Sequence, residues 1–323
     1  MDSSIQKFME ISGVKNRETA LYYIELADGN VERAINLHYE DDDAVIIVED
    51  EPAMQASSAS SSNSPTNGEM TVLEWNIQGL LGDFLKERTV AVVAEIKRLV
   101  PDVVMLQEVV PSTLQYIISA CQEYKLYSPP DAVHYFSVML TRKATFQVLA
   151  KSVINFPTSM QGRSLVAVKG NCCSRKVTLL TSHLESCKPS IDIRIQQFVN
   201  VCGLMKEEEP ESTVIFGADT NLRDYEVDKA KRQSEAARQY IVDIWNILGS
   251  PKEVEHSWDL TKNDNQIKGG NARLRFERLY MRKESPSSSV HFKPVKMEFI
   301  GTSRLSCGLF PSDHWGILVK LKI

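Results

Sequence analysis

The chain has 323 residues, 43% hydrophobic and 8% aromatic, which suffices for one large core and a smaller appended module. Its net charge of −5 is unevenly spread: residues 1–70 hold 14 acidic and 4 basic side chains, and the remainder holds 28 acidic and 33 basic. A mildly positive body permits a polyanionic partner. No run approaches the roughly 18 apolar residues of a membrane span, and the opening "MDSSIQKFME" lacks the basic and then apolar pattern of an export signal. An intracellular protein with no membrane partner is expected. The six cysteines include no CxxC pair, which argues against a disulfide framework or a zinc site.

Along residues 1–40, "SIQKFMEISGVKNRETALYYIELADGNVERAINLHYE" shows helical apolar spacing in three pieces, broken at Ser12-Gly13 and at Asp28-Gly29-Asn30. Asn16 and Asn30 are candidate N-caps. With "YIELADGNVERAINLHY" this stretch resembles the UBA-like three-helix bundle, which implies ubiquitin binding through residues 1–40. A scaffold bundle without a partner is the plainer alternative. Residues 41–69 are dominated by acids, Ser, Ala, Asn and Pro, and cannot bury enough apolar area to offset their ordering entropy, so a disordered linker is expected. Within it, "DDDAVIIVEDE" sets Val45 to Val48 between acidic clusters and resembles a SUMO-interacting motif; a strand packing on its own protein is the alternative.

Residues 70–323 alternate β-rich runs with helical stretches. Strands are predicted at "TVLEW", "DVVMLQE", "YFSVMLT", "SLVAVK", "VTLLTSH", "TVIFGAD", "LRFERLYM" and "GILVKLKI". Helices are predicted near Arg88–Leu99, Ser112–Glu123, Ile191–Lys206 and Glu226–Asn246. Many strands with few helices predict an α/β protein of two packed sheets flanked by helices.

Several strands finish, or begin, in polar residues instead of a simple turn: Asn76 after "TVLEW", Glu108 in "MLQE", His183 in "LLTSH", Asp219 and Asn221 in "GADTN", and Asp313-His314 just before the last strand. Each alone is more often a turn former or a satisfied polar group. Together they fit a common rim, because loops at strand ends carry chemistry.

"EWNIQGL", "LQEVVP", "TSHLES", "GADTNLRD", "LRFERLY" and "FPSDHWGI" resemble the ordered motifs of the endonuclease/exonuclease/phosphatase superfamily. Within it, the resemblance is to the branch that cleaves 5′-phosphotyrosyl bonds and frees DNA ends from trapped topoisomerase II. It covers the chain from Thr71 onward and implies a four-layer α/β/β/α sandwich like that of DNase I, a role in DNA repair, and DNA 5′ ends as substrate. A nuclear location follows from that substrate, with a cytoplasmic pool left open.

Phosphodiester hydrolysis needs charge neutralisation on phosphate oxygens, an activated water and help for the leaving oxygen. Glu108 with Asn76 supplies one carboxylate and one amide oxygen, a set that fits Mg²⁺, with Mn²⁺ able to replace it. Asp219 is the candidate general base and Asn221 the group that orients water and phosphate; their i, i+2 spacing places both on one face if the backbone stays extended. His314 is the candidate cation or proton donor, and His183 a second donor. The resemblance makes Glu277, in "RFER" where the family carries Asp, the residue that orients His314. It also places Tyr135, Arg163, Ser186 and Trp258 around the DNA 5′ end, with Ile267 beside Gln266 as the apolar partner of Trp258. Two rivals stand: another superfamily phosphodiesterase such as an abasic-site endonuclease or DNase, and a non-enzymatic ubiquitin and SUMO adapter.

Overall fold

The computed structural model describes residues 2–12, 17–27, 29–31, 33–34, 68–130, 134–266, 270–283 and 291–323. Asn16, Val45–Val48 and Ile267 lie outside them. The chain divides into two compact units, one of N-terminal residues and one of Asn67–Gly79 with Asp83–Ile323. In the first, helices Asp2–Ser12 and Arg17–Leu26 bury Ile5, Phe8, Ala20, Tyr23 and Ile24, with the Phe8 and Tyr23 rings stacked 5.8 Å apart. Asn30 caps the next turn as expected, its Oδ1 accepting from the Arg33 amide at 3.0 Å.

The second unit holds two six-stranded sheets. The first is built from β1 (Glu69–Asn76), β2 (Val103–Val109), β3 (Tyr124–Tyr127), β4 (Phe136–Arg142), β13 (Lys293–Ile300) and β14 (Gly316–Lys322), in the order β13-β14-β1-β2-β4-β3. The second contains β5 (Phe146–Asn155), β6 (Ser164–Cys172), β7 (Arg175–His183), β8 (Thr213–Asp219), β9 (Ile241–Asp243) and β12 (Glu277–Arg282), in the order β5-β6-β7-β8-β12-β9. A two-stranded ribbon pairs β10 (Trp258–Asp259) with β11 (Arg273–Leu274).

Alternation along each central strand splits its side chains between two apolar layers. Val72, Val103, Met105, Leu179, Ile215 and Leu279 meet between the sheets. Leu73, Trp75, Val104 and Leu106 pack instead with Val92, Val93 and Ile96 of helix Leu85–Leu99, while Leu180, Phe216 and Tyr280 pack with Phe198 and Val201 of helix Ile191–Glu207. This is the four-layer sandwich that the resemblance implied.

Strand direction explains the polar rim. β1 and β2 run parallel, as do β7 and β8, so Asn76, Glu108, His183 and Asp219 close neighbouring strands at the same end. β12 and β14 run antiparallel to β8 and β1, so their first residues arrive at that end, and Glu277 stands opposite Asp219 in register.

Three expectations need correction. Residues 226–246 are not one helix: the helix is Asp224–Gln233, followed by a π-helical turn at Ala236–Tyr240, strand β9 and a short helix at Ile244–Ile247. Ile241 and Val242 are β-branched and pair with β12, and the Asp243 side chain caps the Trp245 amide at 2.9 Å. "LRFERLYM" is two strands, because Arg275 and Phe276 turn the chain between β11 and β12. The outer strands β3, β5 and β13 carry charged and exposed positions and so lack the apolar run that marks the central ones.

Gly79 marks the tightest approach beneath the rim: a β-carbon there would stand 2.0 Å from the Glu108 carbonyl oxygen. Gly79→Ala is expected to lower stability by about 2–4 kcal/mol, read as a lower denaturant midpoint with an unchanged slope.

Candidate active site

The site begins with strain in the backbone. Glu108 adopts φ 54 next to an irregular register between β2 and β4, and Asn221 adopts φ 52, both in the left-handed region that non-glycine residues avoid. These turns aim side chains at the rim that regular strands would direct elsewhere.

Asn76 bridges two carboxylates, its Nδ2 donating to Asp219 Oδ2 at 2.8 Å and to Glu108 Oε1 at 3.2 Å. Its Oδ1 accepts the Gln78 amide at 2.9 Å. Asn76 thus braces the two acids, and its Oδ1 keeps a second lone pair.

Asp219 is 1% exposed and lies 3.3 Å from His183 Nε2. Burial, then the negative charge of Glu277, pushes its carboxyl up to about 7, against the pull of His314 and the Asn76 hydrogen bond. Asn221 is placed by a turn rather than by an extended strand, which corrects the spacing argument. Its amide donates to Asp219 Oδ1 at 3.0 Å, while its Nδ2 donates to the Leu184 carbonyl at 3.3 Å.

His314 Nδ1 lies 2.5 Å from Glu277 Oε1, and both side chains are buried. Burial alone disfavours the charged ring, but Glu277, Asp313 and Asp219 overcome it and hold the imidazole well above its ordinary value. Glu277, one methylene longer than the family's Asp, thus reaches its partner. Ser257 Oγ fixes the approach by accepting the Phe276 and Glu277 amides, each at 3.1 Å. Asp219, Glu277 and His314 lie close enough to hold a cation by residue type, but His314, ion-paired to Glu277, already supplies the positive charge there.

Substrate candidates flank this centre. The Arg163 guanidinium sits 4.7 Å over the Tyr135 ring, and Tyr135 meets His183 edge-on at 6.2 Å. Trp258 Nε1 donates to Asp313 Oδ2 at 3.3 Å, and its ring packs on Phe276 at 5.7 Å. Ser186 lies on the loop after β7 and bonds Gln161. Arg223 and Asp224 are drawn into local pairs: Arg223 Nη1 donates to the Asn221 carbonyl at 3.1 Å, and Asp224 pairs with Arg278 at 2.8 Å.

Supporting residues escaped the motifs. Arg88, almost wholly buried, donates to the carbonyls of Gln78 and Pro311, tying the loop after β1 to the loop before β14. The fully buried Arg194–Glu226 pair fastens the Cys187 carbonyl to the Arg223 amide. Glu74, inside the sandwich, has neither carboxylate oxygen hydrogen-bonded among the described residues, and burial followed by the charges of Glu277 and Asp219 raises its carboxyl well above the usual range. An acid within an apolar strand carries the only sequence signal of that last group.

Comparison with known proteins decides the family. The chain is 38% identical over 253 residues to tyrosyl-DNA phosphodiesterase 2 of Gallus gallus, covering 78% of this chain and 67% of the relative. It is 34% identical over 258 residues to that of Homo sapiens, covering 80% and 69%. The chain belongs to the tyrosyl-DNA phosphodiesterase 2 family. A tyrosyl-DNA phosphodiesterase 2 structure from Danio rerio, complexed with a single-stranded DNA product, matches at TM-score 0.74 and 31% identity over 79% of this chain and 99% of that one. The Caenorhabditis elegans structure matches at 0.71 and 30% identity over 100% and 93%. Residues 2–45 match the UBA-like domain family.

Burial of Asp219 carries a cost in stability. A carboxyl whose folded value lies above its ordinary 3.8 is destabilising once pH rises through that interval, because the native state must then ionise it at a cost. Asp219→Asn is expected to raise stability by about 1–3 kcal/mol near pH 7.5. Thermal melts should show that gain shrink as pH falls and vanish below about pH 3, where the folded and unfolded acids are both largely protonated.

Proposed function

We propose that this protein hydrolyses the phosphodiester between a tyrosine and a DNA 5′ end, releasing ends trapped by topoisomerase II during DNA repair in the nucleus. Family membership supports the activity. The observation that carries the substrate class is the Arg163–Tyr135 stack beside His183 and Asp219, a cation and an aromatic face suited to a phosphate next to a ring. Trp258 adds a face on which a base can stack, a sequence-tolerant way to hold a DNA end.

Asp219 takes a proton from water; the water oxygen forms the new bond to phosphorus as the bond to the tyrosine oxygen breaks. Asn221 orients that water. His314, held charged by Glu277, faces the phosphate oxygens, and His183 is a second donor. A phenol leaving group with pKa about 10 needs less protonation than a sugar hydroxyl, so no stronger acid is required.

A divalent cation fits the donor set. Glu108 offers a hard anionic oxygen, while the site's histidines are engaged with Glu277 and Asp219. Mg²⁺ suits a site with few protein ligands because it keeps most of its waters, and Mn²⁺ can replace it. When bound it neutralises charge on the phosphate. Glu108 would hold it, with Asn76 keeping Glu108 in place.

The N-terminal unit supports a second role, ubiquitin binding through the UBA-like bundle.

Purified protein supplied with Mg²⁺ should cleave 5′-phosphotyrosyl oligonucleotides in preference to abasic ones. Glu108→Ala should reduce the rate by about 10²- to 10⁴-fold, and chelation should abolish it. Preferential abasic incision would overturn the substrate assignment.

A further inference from the structure

Gln161 belongs to none of the motifs above, yet its side chain touches two of the substrate candidates at once. Its Oε1 accepts from Arg163 Nη2 at 3.1 Å and from the Ser186 amide at 2.9 Å, and its Nε2 donates to Ser186 Oγ at 2.8 Å. These residues come from different places: Arg163 immediately precedes β6, whereas Ser186 follows β7.

The loop that presents Gln161 is itself anchored. Ser159 Oγ accepts from the Arg163 amide at 2.8 Å and from the Gln161 amide at 3.3 Å, and donates to Glu185 Oε2 at 2.7 Å. The Met160 amide donates to Glu185 Oε1 at 2.8 Å. Glu185 is fully buried and is held in turn by Gln197 at 3.2 Å. Gly162, at φ 65, makes the turn that returns the chain to Arg163.

Arg163 is 6% exposed, and the bond from Nη2 to Gln161 uses one of its five N–H groups, so Nη donors remain for a ligand. A guanidinium that hovers over a ring by stacking alone is free to rotate in its plane. The bond to Gln161 restricts that freedom and directs the remaining Nη donors.

We propose that Gln161 is a positioning residue for substrate binding, locking Arg163 over Tyr135 and joining it to Ser186 as one preformed wall of the tyrosyl slot. This assignment rests on the phosphotyrosyl reading of the site. A preformed wall strengthens binding chiefly by removing the cost of ordering side chains, so its loss is felt in KM.

Kinetics on a 5′-phosphotyrosyl oligonucleotide test it. Gln161→Ala should raise KM about ten- to hundredfold, the scale of one hydrogen bond to a charged group, with kcat changed by less than about threefold. Gln161→Glu retains the acceptor for Arg163 and the Ser186 amide and should recover most of that loss. Gln161→Ala added to Arg163→Ala should cost less than Gln161→Ala costs in the parent, because part of its effect is exerted through Arg163. Additive losses, a fall in kcat alone, or no rescue by Glu would each overturn the assignment. Asp219→Asn, measured in parallel, separates the two levels: if it retains full activity the functional reading fails, and if it is inactive while the Gln161 losses add, only Gln161 is misassigned.

Discussion

The Glu277–His314 ion pair sets the terms for the whole polar rim. Register places Glu277 directly opposite Asp219 on neighbouring antiparallel strands, so two carboxylates meet in a water-poor interior. Like charges so close raise one another's proton affinity, and no base could work there without a compensating cation. His314 supplies it at 2.5 Å. The pair is costly to bury and breaks badly if one partner is lost, which is the expected behaviour of a buried ion pair retained for chemistry.

That pairing depends on the topology beneath it. Two parallel pairs at the sheet centres bring four strand ends to one rim, and two antiparallel neighbours add their first residues to the same place. Apolar layers on both faces hold the strands rigid, so the polar ends are fixed by packing rather than by one another. The left-handed turns at Glu108 and Asn221 then adjust what straight strands cannot reach.

Much of this was visible in the sequence. The central strands are continuous apolar runs ending in Asn76, Glu108, His183 and Asp219, and runs of that kind leave a strong trace. What stayed hidden depends on tertiary partners. β5 and β13 alternate weakly because they are sheet edges, and the helix expected through Asn246 gives way to β9 only because β12 offers a free edge. The Asp219–Asn221 spacing indicated proximity correctly but for the wrong backbone geometry, since a turn amide rather than pleat alternation joins them. Gln161, Arg88 and Glu185 had no local signature, because their importance lies in contacts between loops distant in sequence.

The central claim is that His314 is a cation at neutral pH, held so by Glu277 against the cost of burial. Nitrogen-15 chemical shifts of the His314 ring, followed across the neutral range in protein labelled at histidine, address it directly. The account predicts imidazolium shifts for both ring nitrogens at pH 7, persisting well above an ordinary histidine's titration. A neutral tautomer at pH 7, with one nitrogen unprotonated, would contradict it.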